Sequence, residues 1–397
     1  MNICSVCDLY NNVKSPKMEP SGEGKTGVLL FGESPGETED KEGRQFVGKA
    51  GKRLRRYIID EGYEPALDFW FYNCVNCRTM DSKGKNRTPN DKEIEYCLNQ
   101  TIPKILELKP KVILSLGGTP LKIFCNNHLT SKSKKTISGV RGLPFVSQQF
   151  NCWIVPTFHP SYLDRNLDDI ELGKTFLNNI ELEKIFLRDF RLAMNLIGQR
   201  DKLEARLNIG KSFSYSTNRF EIQNYFNNLF NRREKRICID YETTGLNAYS
   251  NEEKVISVAI SDGVSTVVFM IEDYIDLFIE LLCFSYLDKI AQSAGFEDKW
   301  SRRLIKDAGK DVGRFVPFSQ DILIKSFLLN GRVGVNNLEF LVWRYFGIEF
   351  KGEVDRTKIV REAEGALLKY NAQDAFYTYW LNEEFDKEIE NIGGKEK

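Results

Sequence analysis

The sequence has no apolar run long enough to cross a bilayer, although 42% of its 397 residues are hydrophobic. Its first residues have neither the basic start nor the apolar core of a secretory signal. We therefore expect a cytoplasmic protein with no membrane partner. Histidine is scarce as well: His128, in a polar loop, is expected to be incidental, so any imidazole chemistry falls to His159.

The chain also has no net charge, with 56 Lys and Arg against 56 Asp and Glu, but the charges are unevenly distributed. Residues 1–200 hold 29 basic and 24 acidic residues, which leaves 27 and 32 for the rest. A basic segment at 132–141 is either a solvated loop or a phosphate-binding patch. The acidic second half is still compatible with nucleic acid, because carboxylates that bind metals must be counted together with those metals.

The length suits two domains, and the apolar segments indicate where they lie. In the first half, apolar strands alternate with helical segments, which predicts an α/β domain around a mainly parallel sheet. A polar stretch at 197–211 predicts a linker, so the domains are expected at 1–196 and 212–397. The predicted strands of the first domain are 28–31, 69–73, 112–116 and 153–156, and its predicted helices are 51–62, 91–108, a segment ending near 124, and 170–196. In the second domain we predict strands at 213–216, 236–240, 254–260 and 264–270, a helix at 218–230, and mostly helix after 272.

Nine cysteines in a cytoplasmic chain favour metal binding or burial over disulfides. Two C-x-x-C pairs, Cys4 with Cys7 and Cys74 with Cys77, fit a four-thiolate zinc site. Replacing Cys74 by Cys97 gives instead an iron–sulfur set. The spacing alone does not choose between these sets, or between either set and four buried thiols. Either metal site would attach the N-terminus to the loop and helix at 77–97.

An acidic motif follows the first predicted strand and belongs to a longer pattern. The stretches 28–40 and 43–51 resemble family 4 uracil-DNA glycosylases, the iron–sulfur type, over about residues 1–195. The resemblance implies a uracil-DNA glycosylase-like α/β/α domain whose 4Fe-4S cluster is bound by Cys4, Cys7, Cys77 and Cys97, with Cys74 a bystander. An insert at 80–85 lengthens the loop between the last two ligands. Further segments match the family in the same order, at 71–78, 86–89, 93–97, 114–117, 140–142 and 156–161.

The residues that match the family suit excision of a base that has left the stack. Phe46 offers an aromatic face for the uracil. Asn73 can donate to O4 and accept from N3–H, which rejects cytosine because cytosine reverses that donor and acceptor pattern. Glu33 is expected to orient water or stabilise the oxocarbenium-like sugar. His159 is expected to donate to O2 of the departing base.

Three further residues complete the expected uracil-binding set. Backbone N–H groups near Ser34 and Gly36 are expected to assist in holding the departing base. The resemblance also implies that Glu39 crowds the methyl group of thymine.

A second acidic motif, Asp240-Tyr-Glu242, ends a predicted strand. The segments 291–300 and 370–374 resemble the second and third motifs of DEDD-type 3′–5′ exonucleases, the third in its Tyr-x-x-x-Asp form. The segment 321–348 resembles the proofreading domain of DNA polymerase I-like enzymes. Together the resemblance covers about 212–390 and implies a ribonuclease H-like exonuclease domain.

Four carboxylates suit phosphodiester hydrolysis with two Mg²⁺ or Mn²⁺ ions. Asp240 is expected to bridge both ions, and Glu242 and Asp374 to hold one each. Tyr370 lies one helical turn before Asp374, so its hydroxyl can orient the attacking water.

The second motif departs from the usual His-Asn-x-Lys-Phe-Asp pattern. Glu297 occupies the aspartate position with Asp298 beside it, and we favour Glu297 as the ligand. The changed residues before Phe296 could weaken metal binding or binding of the strand end.

The sequence therefore predicts a bifunctional DNA-processing enzyme, a uracil-DNA glycosylase joined to a 3′–5′ exonuclease. One alternative is a DNA-binding accessory protein that tethers a separate polymerase, with one or both sites inactive. Another is an exonuclease that acts on RNA. Because the chain ends 23 residues after Asp374, we expect the exonuclease to act alone or to proofread for a polymerase on another chain. Such separate replication proteins are typical of large bacterial viruses, and a viral protein of this kind would act in the host cytoplasm. We also expect a monomer.

Overall fold

The computed structural model describes residues 4–125, 136–164, 171–172, 175–176, 179–231, 235–332, 334–349 and 364–393. His128 and the lysines of the basic segment at 132–135 lie outside these residues. The chain divides into two compact units, Met1–Asn208 and Ile209–Lys397. In the described part of the chain, no helix is long and apolar enough to span a bilayer.

The first unit is built on a five-stranded sheet in the order β2-β1-β3-β5-β4. All neighbouring pairs are parallel except β4 and β5, which are antiparallel. Strands β1, β3 and β5 are buried throughout, as expected of a parallel sheet covered by helices on both faces. The strands are β1 Val28–Gly32, β2 Phe69–Asn73, β3 Val112–Leu116, β4 Phe145–Ser147, β5 Cys152–Thr157, and the separate hairpin β6 Glu171–Leu172 and β7 Thr175–Phe176.

The helices of the first unit start and stop at recognisable signals. Asn90 caps α5 through a reciprocal pair of hydrogen bonds with Glu93. The helices are α1 Cys4–Cys7, α2 Glu37–Glu42, α3 Lys49–Asp60, α4 Pro65–Asp68, α5 Asp91–Leu108, α6 Gly118–Cys125, α7 Ile137–Val140, α8 Asn179–Leu196 and α9 Arg200–Lys211.

The second unit contains another five-stranded sheet, in the order β10-β9-β8-β11-β12. The central strand β8 pairs antiparallel with β9 and parallel with β11. The predicted α/β arrangement of this unit is confirmed, with the long helix α15 packed across the sheet. The strands are β8 Lys235–Thr243, β9 Val255–Ser261, β10 Thr266–Met270, β11 Leu287–Ala291 and β12 Gln320–Asp321. The helices are α10 Arg219–Phe230, α11 Ile271–Leu282, α12 Ala294–Asp307, α13 Ile322–Asn330, α14 Leu338–Phe346 and α15 Glu364–Gly393.

The structure differs from the sequence-based predictions in three places. The stretch 197–211, expected as a polar linker, contains helix α9, whose apolar Leu203 and Leu207 are buried in the core of the first unit. The predicted strand at 213–216 makes only an isolated bridge, between Ser216 and Val267. The predicted helix at 170–196 is present only as α8 from Asn179, because β6 and β7 pair as a short antiparallel hairpin before it.

Candidate functional sites

The first candidate site is a cleft at the carboxyl ends of the strands of the first unit, where parallel sheets place their functional groups. We call it the strand-end cleft; its volume is about 670 Å³, which is room for a base and its sugar. Glu33 follows β1, Asn73 ends β2, and His159 follows β5. The structure brings together every residue predicted for uracil binding or excision, since Glu33, Ser34, Gly36, Glu39, Phe46, Asn73 and His159 all line this cleft.

Glu33 is held from the neighbouring strand end. The hydroxyl of Thr119, in the first turn of α6, donates to Oε2 of Glu33 at 2.5 Å. This bond holds the carboxylate at the carboxyl end of β1, so that Oε1 can contact a water molecule or the sugar of a substrate. Thr119 was not predicted, because a threonine two residues after Gly117 reads as an ordinary helix start.

Phe46 and Asn73 meet over Gly32, the last residue of β1. A Cβ atom at Gly32 would lie 2.4 Å from Oδ1 of Asn73 and 2.6 Å from Cζ of Phe46, so only glycine allows this approach. Phe46 itself has a φ of 54°, in the left-handed region that a side chain rarely adopts. Arg55 supports this conformation by donating from Nε to the carbonyl oxygen of Phe46 at 3.0 Å.

The Asn73 amide also has a side-chain partner. Its Nδ2 donates to Oε1 of Gln45 at 2.6 Å, and this contact is buried. Gln45 was not predicted, because the sequence does not reveal that residues 28 positions apart touch.

His159 is neutral at physiological pH. Burial lowers its pKa to about 4, because a charged imidazolium would lose its hydration. Its Nδ1 accepts from the backbone N–H of Ser161 at 3.2 Å and contacts the Ser161 hydroxyl at 2.7 Å. With Nδ1 accepting, the proton of the neutral ring lies on Nε2, which is then a hydrogen-bond donor.

Glu39 connects two segments of the wall of the strand-end cleft. Its Oε1 accepts from the backbone N–H of Gly48 at 2.7 Å, which ties α2 to the loop that carries Phe46. Gly36 caps α2, and the Ser34 hydroxyl lies 3.3 Å from that of Thr79. These contacts shape the wall of the cleft.

A second candidate site is a small cavity near the N-terminus, the thiol cavity. Cys4, Cys7, Cys77 and Cys97 line it together, whereas Cys74 does not. Instead, the thiol of Cys74 donates to the carbonyl oxygen of Glu33 at 3.2 Å. The four cysteines predicted as cluster ligands are therefore the four that share a cavity.

The thiol cavity suits an iron–sulfur cluster in both its donors and its surroundings. N–H groups point at three of the sulfurs: Nε2 of Gln100 lies 2.8 Å from Sγ of Cys4, and backbone N–H groups of Lys17 and Asn76 lie 3.3 Å from Cys77 and Cys97. Such donors stabilise thiolates. Burial raises the pKa of Cys77, and raises that of Cys97 to about 11, so without a cation these groups stay protonated.

One short segment joins the two sites of the first unit. Asn73 lines the strand-end cleft, and Val75, Asn76 and Cys77 line the thiol cavity. The segment is also pinned from α5, where the Thr101 hydroxyl donates to the carbonyl oxygen of Cys74 at 3.1 Å.

The third candidate site is a carboxylate cluster in the second unit. Asp240 and Glu242 lie two residues apart on β8, so they share a face of the sheet, and Asp374 faces them from α15. Oxygen atoms of these three side chains all lie within 4.8 Å of one another. Burial, and then the charges of Asp374 and Glu242, raise the pKa of Asp240 well above its ordinary value. A divalent cation would remove this repulsion, so the donor set fits one.

Asp240 is oriented by Asn371, which was not predicted. Nδ2 of Asn371 donates to Oδ2 of Asp240 at 2.7 Å, and Oδ1 of Asn371 accepts from the Ser257 hydroxyl at 3.1 Å. Asn371 is fully buried between α15 and the sheet. Asn371 could have been suspected from the sequence, because it lies three positions before Asp374 and so shares a helix face with that predicted ligand.

Glu297 and Asp298 point to different places. Glu297 is buried, and its charge contributes to the raised pKa of Asp240, although it lies outside the three-carboxylate cluster. Among the described residues its Oε2 has no hydrogen-bond partner, and burial raises its pKa to about 8. Asp298 instead accepts from the backbone N–H of Phe318 at 3.0 Å. The geometry therefore favours Glu297 over Asp298 as a metal ligand.

Tyr370 lies beside the carboxylate cluster on α15. Burial, and then the charges of Asp374, Glu242 and Asp240, raise its pKa, so the phenol keeps its proton. A protonated hydroxyl there can donate to a carboxylate or accept from water.

Comparison with known proteins connects the first unit to a family. The model of the uracil DNA glycosylase superfamily matches residues 20–190. The type-4 uracil-DNA glycosylase of Thermotoga maritima is 36% identical over 185 residues, which is 47% of this chain and 90% of that protein. The type-4 enzyme of Pyrobaculum aerophilum is 40% identical over 139 residues, or 35% of this chain and 67% of that protein.

Other similarities are more distant. A DNA polymerase of Bacillus phage SP01 is 23% identical over 186 residues, 45% of this chain and 20% of that protein. Among solved structures, Brucella melitensis NrnC with bound Mg²⁺ aligns with a TM-score of 0.34 and 22% identity, covering 42% of this chain and 78% of that one. RNase D of Escherichia coli, an exoribonuclease, aligns with a TM-score of 0.35 and 15% identity, covering 46% of each chain.

Proposed function

The chain belongs to the type-4 uracil-DNA glycosylase family, and from that premise we propose a bifunctional enzyme. Its first unit removes uracil from DNA, and its second unit hydrolyses DNA from the 3′ end. The convergence of Glu33, Phe46, Asn73 and His159 on one cleft supports the first activity. The carboxylate cluster, with its oxygens within 4.8 Å, supports the second.

In the strand-end cleft, a flipped uracil stacks on Phe46 and is read by the amide of Asn73. Cleavage of the bond between C1′ and N1 leaves positive charge on the sugar and negative charge on the base. The carboxylate of Glu33, fixed by Thr119, stabilises the sugar and takes a proton from the incoming water. The water oxygen bonds to C1′ as N1 leaves with the bonding electrons, and the proton taken by Glu33 returns through solvent to the uracil anion. The products are free uracil and an abasic sugar.

The departing uracil is stabilised by His159. Because the ring is neutral and Nδ1 accepts from Ser161, Nε2–H can donate to the anionic O2 without needing a proton from solution. A neutral donor suits this role because it is already aimed at the atom on which negative charge develops.

In the carboxylate cluster, Asp240, Glu242 and Asp374 would hold divalent cations, with Glu297 as a further ligand. Bound Mg²⁺ or Mn²⁺ supplies charge neutralisation and an activated water. Asn371 keeps the Asp240 carboxylate turned toward the cluster. Tyr370 positions the attacking water through its protonated hydroxyl.

The thiol cavity would hold a 4Fe-4S cluster on Cys4, Cys7, Cys77 and Cys97, with a structural role. Thiolate ligation of this kind stabilises the fold because the ligands come from separate segments. The N–H donors from Gln100, Lys17 and Asn76 then stabilise the sulfur charge. Location in the host cytoplasm, the monomeric state and a separate polymerase partner stay predictions.

The test uses an end-labelled single-stranded DNA with one internal uracil. The wild-type protein should create an abasic site in EDTA and should shorten the 3′ end only after Mg²⁺ or Mn²⁺ is added. Glu33→Gln should lose only the abasic product and Asp240→Asn only the shortening. If wild-type protein gave neither product, the enzyme proposal would be wrong and the tethering alternative would gain support.

The same assay with matched RNA oligonucleotides identifies the sugar. We expect shortening of DNA to be at least as fast as shortening of RNA. A clear preference for RNA would require a pocket that reads the 2′-OH and would reassign the second unit to RNA.

A further inference from the structure

The Asn73 amide is symmetric in shape but not in hydrogen bonding, so its orientation decides which base it reads. With N–H toward position 4 and C=O toward position 3, it matches uracil. Rotated by half a turn, the same side chain accepts from the amino group of cytosine and donates to its N3. Shape and stacking do not separate these two states, so another group must fix the amide.

Gln45 is placed to fix it. Gln45 is 1% exposed and does not line the strand-end cleft, so it can reach a bound base only through Asn73. Oε1 of Gln45 accepts from Nδ2 of Asn73 at 2.6 Å. Nε2 of Gln45 donates to the backbone carbonyl oxygen of Glu19 at 3.3 Å.

This chain of hydrogen bonds ends at a group that cannot reverse. If Asn73 rotated, its Oδ1 would face Oε1 of Gln45, and two acceptors in contact repel each other. If Gln45 rotated as well, its Oε1 would face the Glu19 carbonyl, which has no proton to donate. Each rotated state therefore leaves buried polar atoms without partners, which is costly.

The backbone that carries Gln45 is also fixed. Arg55 donates from its guanidinium to the carbonyl oxygens of both Gln45 and Phe46, at 3.2 and 3.0 Å, and stacks 4.3 Å above the ring of Phe71. The Gln45 side chain consequently starts from a rigid anchor between α2 and α3.

We propose that Gln45 is a positioning residue that gives the enzyme its discrimination between uracil and cytosine, by locking the Asn73 amide against the Glu19 carbonyl. This inference rests on the proposed glycosylase function. It extends that function from base binding to the choice between two bases that differ only at positions 3 and 4.

The first experiment compares wild-type protein with Gln45→Met, which keeps the side-chain length but removes both hydrogen bonds. Free uracil and free cytosine are tested as competitive inhibitors of uracil excision, and excision is followed on strands bearing either base. We expect the ratio of the two inhibition constants to shift toward cytosine by about 10- to 100-fold. Gln148→Met, which removes a hydrogen bond to the Leu207 carbonyl in the same unit, should leave the ratio unchanged.

A second variant gives a signature that a purely structural role would not produce. In Gln45→Glu, the carboxyl oxygen that faces Asn73 accepts from Nδ2 in both protonation states, so a rotated Asn73 would again place its Oδ1 against an acceptor. This variant should therefore keep, below and above the titration of its carboxyl, the uracil preference that Gln45→Met loses. This variant also carries the test if Gln45→Met does not fold.

The outcomes separate the possible errors. If wild-type protein excises no uracil, the proposed function fails. If wild-type protein excises uracil and Gln45→Met lowers the rate without shifting the ratio of inhibition constants, Gln45 has only a structural role and the inference is wrong. Loss of the uracil preference in a folded Gln45→Glu protein would also overturn it.

Discussion

At the scale of single residues, burial sets the protonation of groups in both catalytic sites, with opposite effects on a base and an acid. It lowers the pKa of His159 to about 4 and raises that of Glu297 to about 8. Both groups are therefore held in their neutral forms near pH 7 in the protein without bound cations. For His159 this form is the working donor, whereas Glu297 must give up its proton when a cation binds.

The ionisation of His159 can be observed directly, because the chain has only two histidines. In a His128→Gln background, a single imidazole signal should remain in the NMR spectrum. We expect it to stay in the neutral position down to about pH 5, since the pKa lies near 4. The unfolded chain binds this proton near pH 6.5, so stability should fall as the pH drops from about 6.5 toward 4. A titration midpoint near 6.5 in the folded protein would contradict the neutral-donor mechanism.

A methyl group at Gly32 should disable the glycosylase without unfolding the protein. In Gly32→Ala the new Cβ would force Asn73 and Phe46 away from their positions. Displacements of this size at a reacting site cost about 100-fold in rate. Gly198→Ala is the matched control, because a Cβ there meets nothing within 4 Å. Steady-state rates on uracil-containing strands measure the effect, and near-normal excision by Gly32→Ala would show that the close approach is dispensable.

At the scale of elements, the candidate metal site of the second unit is built from three secondary-structure elements that are far apart in sequence. β8 carries Asp240 and Glu242, α12 carries Glu297, and α15 carries Tyr370 and Asp374. One residue, Asp321, ties α12 to α13: its Oδ2 accepts from the backbone N–H of Ala294 and its Oδ1 from that of Ile324, at 2.9 and 3.0 Å. It therefore caps two helix N-termini at once.

Removing this double cap should affect activity more than stability alone explains. Asp321→Ala should lower the free energy of unfolding by about 1–2 kcal/mol. Because α12 holds Glu297, 3′-end hydrolysis should also fall at least about 10-fold. Asn218→Ala removes a comparable cap from α10, away from the carboxylate cluster, and should cost similar stability with no loss of hydrolysis. Denaturant unfolding and assays of 3′-end shortening compare the two variants. If Asp321→Ala and Asn218→Ala had equal activity, Asp321 would have no role in positioning the carboxylate cluster.

At the scale of the whole molecule, each unit has a core of its own. The first core is built around β1, β3 and β5, and the second is divided over the two faces of the β8 sheet. We therefore expect defects in one unit to leave the chemistry of the other intact.

Loss of the proposed 4Fe-4S cluster provides the clearest test of whether the two units are independent. Cys77→Ser should lose iron and visible absorption, lower the unfolding temperature of the first unit, and abolish uracil excision. Shortening of the 3′ end in Mg²⁺ should continue at the wild-type rate. Cys74→Ala is the control, because Cys74 does not line the thiol cavity and its variant should retain iron. Loss of both activities in Cys77→Ser would show that the units are not independent.

The sequence predicted the residues that would contact a substrate or a metal, but it did not predict the residues that hold them in position. Asn73, His159 and Asp374 occur in motifs with fixed local spacing. Gln45 and Thr119 act on partners that only the folded sheet brings near, so no local pattern marks them. Helix α9 was missed for the same reason. Its sequence is polar enough to predict a linker, but Leu203 and Leu207 share one helix face and pack into the core of the first unit.

The segment between Asn73 and Cys77 has a consequence for how such chains can change in length. Only three residues separate Asn73, which lines the strand-end cleft, from Cys77, the proposed cluster ligand in the thiol cavity. One inserted or deleted residue there would misplace the base reader or the ligand, whatever its identity. The loop after it is different, because Met80 pairs with Asn86 and closes residues 81–85 into a turn. In related chains we expect gaps and insertions to accumulate in that loop, while the distance from 73 to 77 never varies.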